Sequence, residues 1–162
     1  MIRILAISLF LTCPDLASAQ VVNFGPSDQD RSAPVQVSAD ALSVNQTDGT
    51  ALYTGNVVIV QGQMRLAAPR VLVVYLADAS KIDHLEATGG VTLVSGDEAA
   101  EARQAEYDID GGFITMIGDV LVTQGDNVMS AQRMLVDLDA GSAKLDGRVS
   151  TVLEPASNGT KP

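Results

Sequence analysis

The sequence predicts an all-β protein made of antiparallel strands. Three features carry that prediction: apolar side chains that recur with a period of two, a strand-and-turn unit that recurs about every 29 residues, and no sustained helical period. The composition agrees. Apolar residues make up 46 % of the 162 residues but aromatics only 4 %, with no Trp, so the core must be built from Val, Leu, Ile and Ala. Aliphatic side chains of this kind suit the pleated faces of sheets.

Taken in order, the chain opens with a segment that reads as a signal peptide. Arg3 supplies the positive start, Ile4 to Leu11 a short apolar run, and Ala17-Ser18-Ala19 a small-residue cleavage signature. Cleavage is expected after Ala19. The apolar run is shorter than the roughly 20 residues that span a bilayer. Removal of residues 1–19 would also remove Cys13, and a product without thiols suits an oxidising periplasm. Residues 20–34, rich in Gly, Pro, Ser, Asp and Gln from Asn23 onward, read as a flexible lead-in rather than a strand, and 156–162 as a disordered tail of similar character. The folded domain is expected over 35–155.

Within that span one marker is Gly-x-Val, at Gly55, Gly89, Gly118 and Gly147, spaced 34, 29 and 29 residues apart. A second begins with Ala and runs into an alternating strand, at Ala39, Ala68, Ala102 and Ala131, spaced 29, 34 and 29 apart. Turn glycines stand six residues ahead of three of the marker glycines, at Gly49, Gly112 and Gly141. Such repetition means one supersecondary unit stacked several times.

Parity identifies the unit. One face of the Ala-led strands carries Leu42 and Val44; Val71, Val73 and Tyr75; Ala105, Tyr107 and Ile109; Met134, Val136 and Leu138. The Gly-centred strands carry Ala51, Tyr53, Val57 and Ile59; Leu85, Ala87, Val91 and Leu93; Ile114, Met116, Val120 and Val122. Every one is apolar, which argues for half-buried antiparallel strands joined by hairpin turns such as Asp48-Gly49, Asp110-Gly111 and Ala140-Gly141. Each marker glycine falls on the inward parity, where a missing Cβ lets a long strand bend or bulge over the core. Asp97 to Tyr107, rich in Ala and Glu, aligns with the other Ala-led segments and is read as a turn plus strand.

Charge and residue counts exclude several functions. With 20 Asp plus Glu against 10 scattered Lys plus Arg, the net charge is −10, whereas a nucleic-acid surface needs clustered cations. One Cys and one His are too few for a Cys/His zinc site, and any His-based catalytic pair would rest on His84 alone. His84, between Asp83 and Glu86, falls on the polar face and reads as a surface residue. Asp108 with Asp110 and Asp137 with Asp139 lack the ligand count of a calcium loop and read as solvated strand ends. Arg65, Arg70, Arg103, Arg133 and Arg148 read as outward ion-pair partners. No catalytic residue, metal site or cofactor is predicted, and the chain is not expected to be an enzyme.

The segments Val35 to Asp40, Tyr53 to Gly62, the Ala-led strands ending in Tyr75 or Tyr107-Asp108, and Arg148 to Pro155 resemble the OstA-like family, in particular its periplasmic lipopolysaccharide-transport bridge branch. The resemblance implies a twisted, open β-jellyroll whose two sheets leave a hydrophobic groove for the acyl chains of lipid A. It also implies passage of lipopolysaccharide from the inner to the outer membrane, with partners in both that carry homologous domains. Among relatives, the outer-membrane translocon adds a large barrel for which this chain has no length, and the inner-membrane component keeps a transmembrane helix, against which the Ala17-Ser18-Ala19 site speaks.

An aliphatic interior shelters hydrocarbon at about 0.8 kcal/mol per buried CH₂, so several acyl chains bind without a charged clamp. The expected groove residues are Val35, Val37, Leu42, Val44, Tyr53, Val57, Ile59, Val71, Val73, Leu93, Tyr107, Ile109, Met116, Val120, Val122, Met134 and Val136. Any inward Val in a sandwich is core first, and lipid contact is an added role. Relay along identical subunits needs free strand edges that pair head to tail. Val35, Gln36, Val37, Ser38 and Ala39 are expected to form one such edge, and Val149, Ser150, Thr151, Val152 and Leu153 the other. Two alternatives are a parallel β-helix acting on polysaccharide, which would need a carboxylate cluster on one strand face, and a purely structural periplasmic scaffold with a filled core.

Overall fold

The period-two alternation becomes one antiparallel sheet. The structure, a computed structural model, describes residues 19–26, 30, 32–76 and 81–153. The expected signal peptide, apart from Ala19, and the expected tail lie outside the described residues. The strands are β1 (Gln20–Asn23), β2 (Gln36–Ser38), β3 (Ala41–Asn45), β4 (Thr50–Gln61), β5 (Met64–Tyr75), β6 (Ile82–Ser95), β7 (Glu98–Asp108), β8 (Phe113–Gln124), β9 (Asn127–Asp137), β10 (Ser142–Asp146) and β11 (Ser150–Val152). Their order in the sheet is β1-β10-β9-β8-β7-β6-β5-β4-β2, with β3 also on β4 and β11 also on β9. Each pairing is antiparallel, which removes the parallel β-helix alternative.

The marker glycines draw a crease across this sheet. At Gly55-Asn56, Gly89-Gly90, Gly118-Asp119 and Gly147-Arg148 both residues have positive φ, between 45° and 98°. Registers shift there: Thr54 faces Arg70 and Val57 faces Ala68, so β4 carries one residue more than β5 between the two pairs. The same extra residue recurs in β6 and β8 at Gly89-Gly90 and Gly118-Asp119. An extra residue of this kind bends the strand and increases its twist. Repeated in alternate strands, it folds the sheet along one line. On one side of the line lies a near half (β2, Val57–Gln61 of β4, β11 and their neighbours), and on the other a far half (β3, Thr50–Thr54, β10, β1 and their neighbours).

The two halves face each other and share a single core. Its buried members include Val57, Ile59, Leu66, Leu93, Val120 and Val122 from the near half, and Val71, Val73, Leu85, Ile114, Met134 and Val136 from the far half. Apart from Leu66, these are positions that the inward parity of the sequence picked out. Asp97 to Tyr107 is turn and strand as expected, with β7 starting at Glu98.

One expectation is overturned. The start of the lead-in, residues 20–24, is structured: β1 pairs with β10, and Phe24 is 1 % exposed in the core. The Phe24 N–H donates to Gly141 O at 3.0 Å, Gln124 Nε2 to Asn23 O at 3.4 Å and the Gly25 N–H to Glu98 Oε2 at 3.2 Å. The chain here bridges turns of the far half to turns of the near half. The composition that suggested disorder begins at Asn23, but Val22 and Phe24 supply apolar side chains that a sheet margin buries. Residues 27–29 and 31 of the lead-in lie outside the described residues.

Candidate functional site

The candidate site is the space between the halves and the two ends of the sheet. Of the expected groove residues, Val57, Ile59, Val71, Val73, Leu93, Tyr107, Met116, Val120, Val122, Met134 and Val136 are brought together and fully buried among the protein's own side chains. Val35, Val37, Tyr53 and Ile109 are half-buried against that cluster. Leu42 and Val44 differ from the fully buried position that their parity suggested, at 54 % and 61 % exposed. They belong to β3, the last strand of the far half at this end, and among the described residues no further strand covers their inward side.

The exposed apolar surface continues into a cleft of about 450 Å³ lined by Leu42, Val44, Asn45, Gln46, Gly49, Thr50, Ala51, Tyr53 and Tyr75. Tyr75 is a lining residue that the groove list omitted, although its inward parity was visible. Backbone order at the lip is tight: the Tyr75 N–H donates to Gly49 O at 2.9 Å. Leu42 stands opposite Tyr53 and Val44 opposite Ala51, so β3 carries the apolar stripe of the core out to this lip. At the opposite end β1 and Phe24 cover Ala143 and Leu145, both buried. The open trough implied by the resemblance is therefore filled along most of its length and accessible at the β3 end.

Two polar side chains are buried in the margin facing the crease. Gln61, at the end of β4 in the near half, accepts a hydrogen bond from the Tyr107 hydroxyl in the far half and donates through Nε2 to Ala33 O at 3.2 Å. The other is Ser95, beside which Gly25 passes so closely that a Cβ there would lie 2.9 Å from the Ser95 Cβ.

Both expected edges lie at sheet termini. Gln36, Val37 and Ser38 form β2, paired on one side with Val60, Ile59 and Val58. Ser150, Thr151 and Val152 form β11, paired with Ser130, Met129 and Val128. Val35 and Ala39 flank β2, and Val149 and Leu153 flank β11.

Several polar candidates have local partners. His84 Nδ1 is 2.8 Å from Asp83 Oδ2 and Nε2 is 3.2 Å from Glu86 Oε1. Partial burial lowers its pKa, but hydrogen bonds to Asp83 and Glu86 and the attraction of the Asp83 and Glu106 carboxylates prevail, and the imidazole titrates above its ordinary value. Asp108 accepts from the Gly111 N–H at 2.7 Å, and Asp137 from Asp139 and Ala140 at 3.0 and 2.9 Å, so both fix turns. Arg103 pairs with Asp119 at 3.4 Å on the exposed surface. Among the described residues no group of three His, Cys, Asp or Glu side chains is arranged to hold a metal ion, and no helix is long and apolar enough to cross a membrane.

A creased antiparallel sheet closed over an aliphatic core, with an apolar lip at one end, defines a jellyroll-like β protein. Comparison with known proteins gives the family. The family described as "LptA/(LptD N-terminal domain) LPS transport protein" matches residues 36–142, and the chain belongs to it. An uncharacterized protein of Rhizobium meliloti (strain 1021) is 32 % identical over 138 residues, covering 78 % of this chain and 74 % of that protein. The crystal structure of LptH from Pseudomonas aeruginosa, the LptA-homologous periplasmic component of a lipopolysaccharide transport device, superposes with a TM-score of 0.69 at 20 % identity, over 80 % of this chain and all of that one.

Proposed function

We propose that this protein is a periplasmic carrier that binds the acyl chains of lipopolysaccharide and passes the lipid from the inner toward the outer membrane as one link of a bridge. The observation that carries this reading is the apolar lip at Leu42, Val44, Tyr53 and Tyr75, continuous with a core that has aliphatic side chains on both facing halves. Acyl chains enter at the lip, and deeper contact with Val57, Ile59, Val71 or Met134 requires the halves to part along the margin closed by Tyr107 and Gln61.

Assembly belongs to the same reading. The β2 and β11 edges, with Val35, Ala39, Val149 and Leu153 beside them, pair head to tail with further copies or with homologous domains of membrane components, because unpaired N–H and C=O groups at a sheet edge template another strand. Kinship to an LptA-type family and similarity in fold to a periplasmic component support it.

The test is a photo-crosslinker placed in turn at Leu42, Tyr53 and Val37, with the outward Thr115 as control, in cells making lipopolysaccharide. Adducts at the lip and none at Thr115 are expected. No adduct at any inward position, together with no glycolipid in mass spectra of the protein recovered from membrane extract, overturns lipid carriage. A closely filled interior favours the scaffold alternative, and that result would select it. For assembly, truncation before Ser150 is expected to abolish self-association, and intact association in the truncated chain overturns the edge assignment.

A further inference from the structure

The two ends of the sheet are built alike. At one end β2 and β3 form a single edge interrupted at Ala39-Asp40, and at the other β10 and β11 form one interrupted at Gly147 to Val149. From β2 to β3 the chain runs from the near half to the far half; from β10 to β11 it runs back. A second copy that laid its β2 on β11 and its β3 on β10 would thus continue the antiparallel alternation and join crease to crease.

One of those two places is already taken. β1 lies on β10 with Gln20 opposite Leu145 and Asn23 opposite Ser142, so it runs from the crease toward the hairpin turns. β3 runs the same way on β4, from Ala41 opposite Thr54 to Asn45 opposite Thr50. The outer edge of β1 is no substitute. A β3 strand laid there would run parallel to β1 and stand one strand spacing, about 4.8 Å, farther out than a β2 strand laid on β11.

The apolar surfaces at the two ends match this arrangement. Leu42 and Val44 of β3 have uncovered inward sides, whereas the core beneath β10 is covered by Val22 and Phe24. We propose that the β10 edge is a docking surface for the β3 strand of a second copy, and that β1 is a built-in occupant that must leave before the head-to-tail contact closes. This rests on the assembly reading above. The strand is only four residues long and Val21 is 66 % exposed, so its hold on β10 rests chiefly on Val22 and on Phe24 just beyond it.

The experiment compares three forms of the full chain by sedimentation over a range of concentrations. Val22→Pro removes an N–H and disfavours β1; it is expected to strengthen self-association at least fivefold. Val21→Cys with Lys144→Cys, on opposed outward positions, locks β1 onto β10 when oxidised. The locked form is expected to associate at least fivefold more weakly than the wild type, and reduction to restore it. If Val22→Pro does not fold, the locked and reduced forms decide alone. Equal association in locked, reduced and wild-type chains, with loss on truncation before Ser150, overturns the role of β1 and leaves the assembly reading standing. Association that survives that truncation, or none in any form, overturns both.

Discussion

The Tyr107 hydroxyl donates to Oε1 of Gln61, joining β7 of the far half to the end of β4 in the near half at the margin opposite the crease. Both side chains are buried, and Gln61 also reaches Ala33 O. A sheet folded along one line has a hinge on one side and a free margin on the other, and this polar contact ties the margin. Tyr107→Phe is expected to lower stability by about 1–2 kcal/mol, the cost of removing a buried donor, while keeping the ring's packing. Urea denaturation measures it. An unchanged midpoint would mean that the margin is held by apolar contact alone.

The crease makes a second prediction. At Gly89 the backbone has φ +95°, and a Cβ would stand 2.6 Å from Pro69 Cγ, a ring atom with little room to yield; Gly125 has φ +57° and open space around it. Gly89→Ala is expected to cost about 2–4 kcal/mol and Gly125→Ala about 1 kcal/mol, because the first adds collision to backbone strain. Equal shifts in thermal midpoint would show that the bend tolerates a side chain.

Lip and core separate by mutation. Val44→Glu at an exposed position is expected to change stability by less than about 0.5 kcal/mol yet weaken glycolipid retention about tenfold, since it puts charge where hydrocarbon enters. Met134→Ala in the buried interior is expected to cost about 2–5 kcal/mol of stability. Folding by circular dichroism and co-purified lipid by mass spectrometry distinguish the two. Lipid retention unaltered in a folded Val44→Glu protein would place entry elsewhere.

His84 gives the pH dependence. Its folded pKa lies above its ordinary 6.5 because hydrogen bonds to Asp83 and Glu86 and the negative charge of Asp83 and Glu106 outweigh partial burial. A raised folded pKa means that the charged form is stabilised in the native state. The contribution is complete below about 6.5 and fades as pH rises through the folded value. The stability difference between wild type and His84→Gln is therefore expected to shrink from pH 5.5 to pH 8.5. A difference that grows over that range would reverse the assignment, and NMR of the single His should give a midpoint above 6.5.

The sequence by itself determined most of the strands, their inward faces and the crease. Val57, Ile59, Met116 and Val136 announce their burial through alternation, because a period of two fixes which face a side chain takes wherever the strand pairs. Gly55, Gly89 and Gly118 announce the bend because a glycine recurring at regular intervals inside long strands has few other uses, although a Cβ at these positions would meet the exposed Asp40, Pro69 and Arg103 rather than the core. Only the tertiary structure decided how far burial extends. Leu42 and Val44 have the same parity as Val71 and Val73, yet they are exposed, because β3 is the last strand of its half and burial needs a neighbour that parity does not encode. The strand at Gln20–Asn23 was likewise settled in three dimensions. Four residues carry no readable period, and what makes them a strand is the free edge of β10, more than a hundred residues away in the chain.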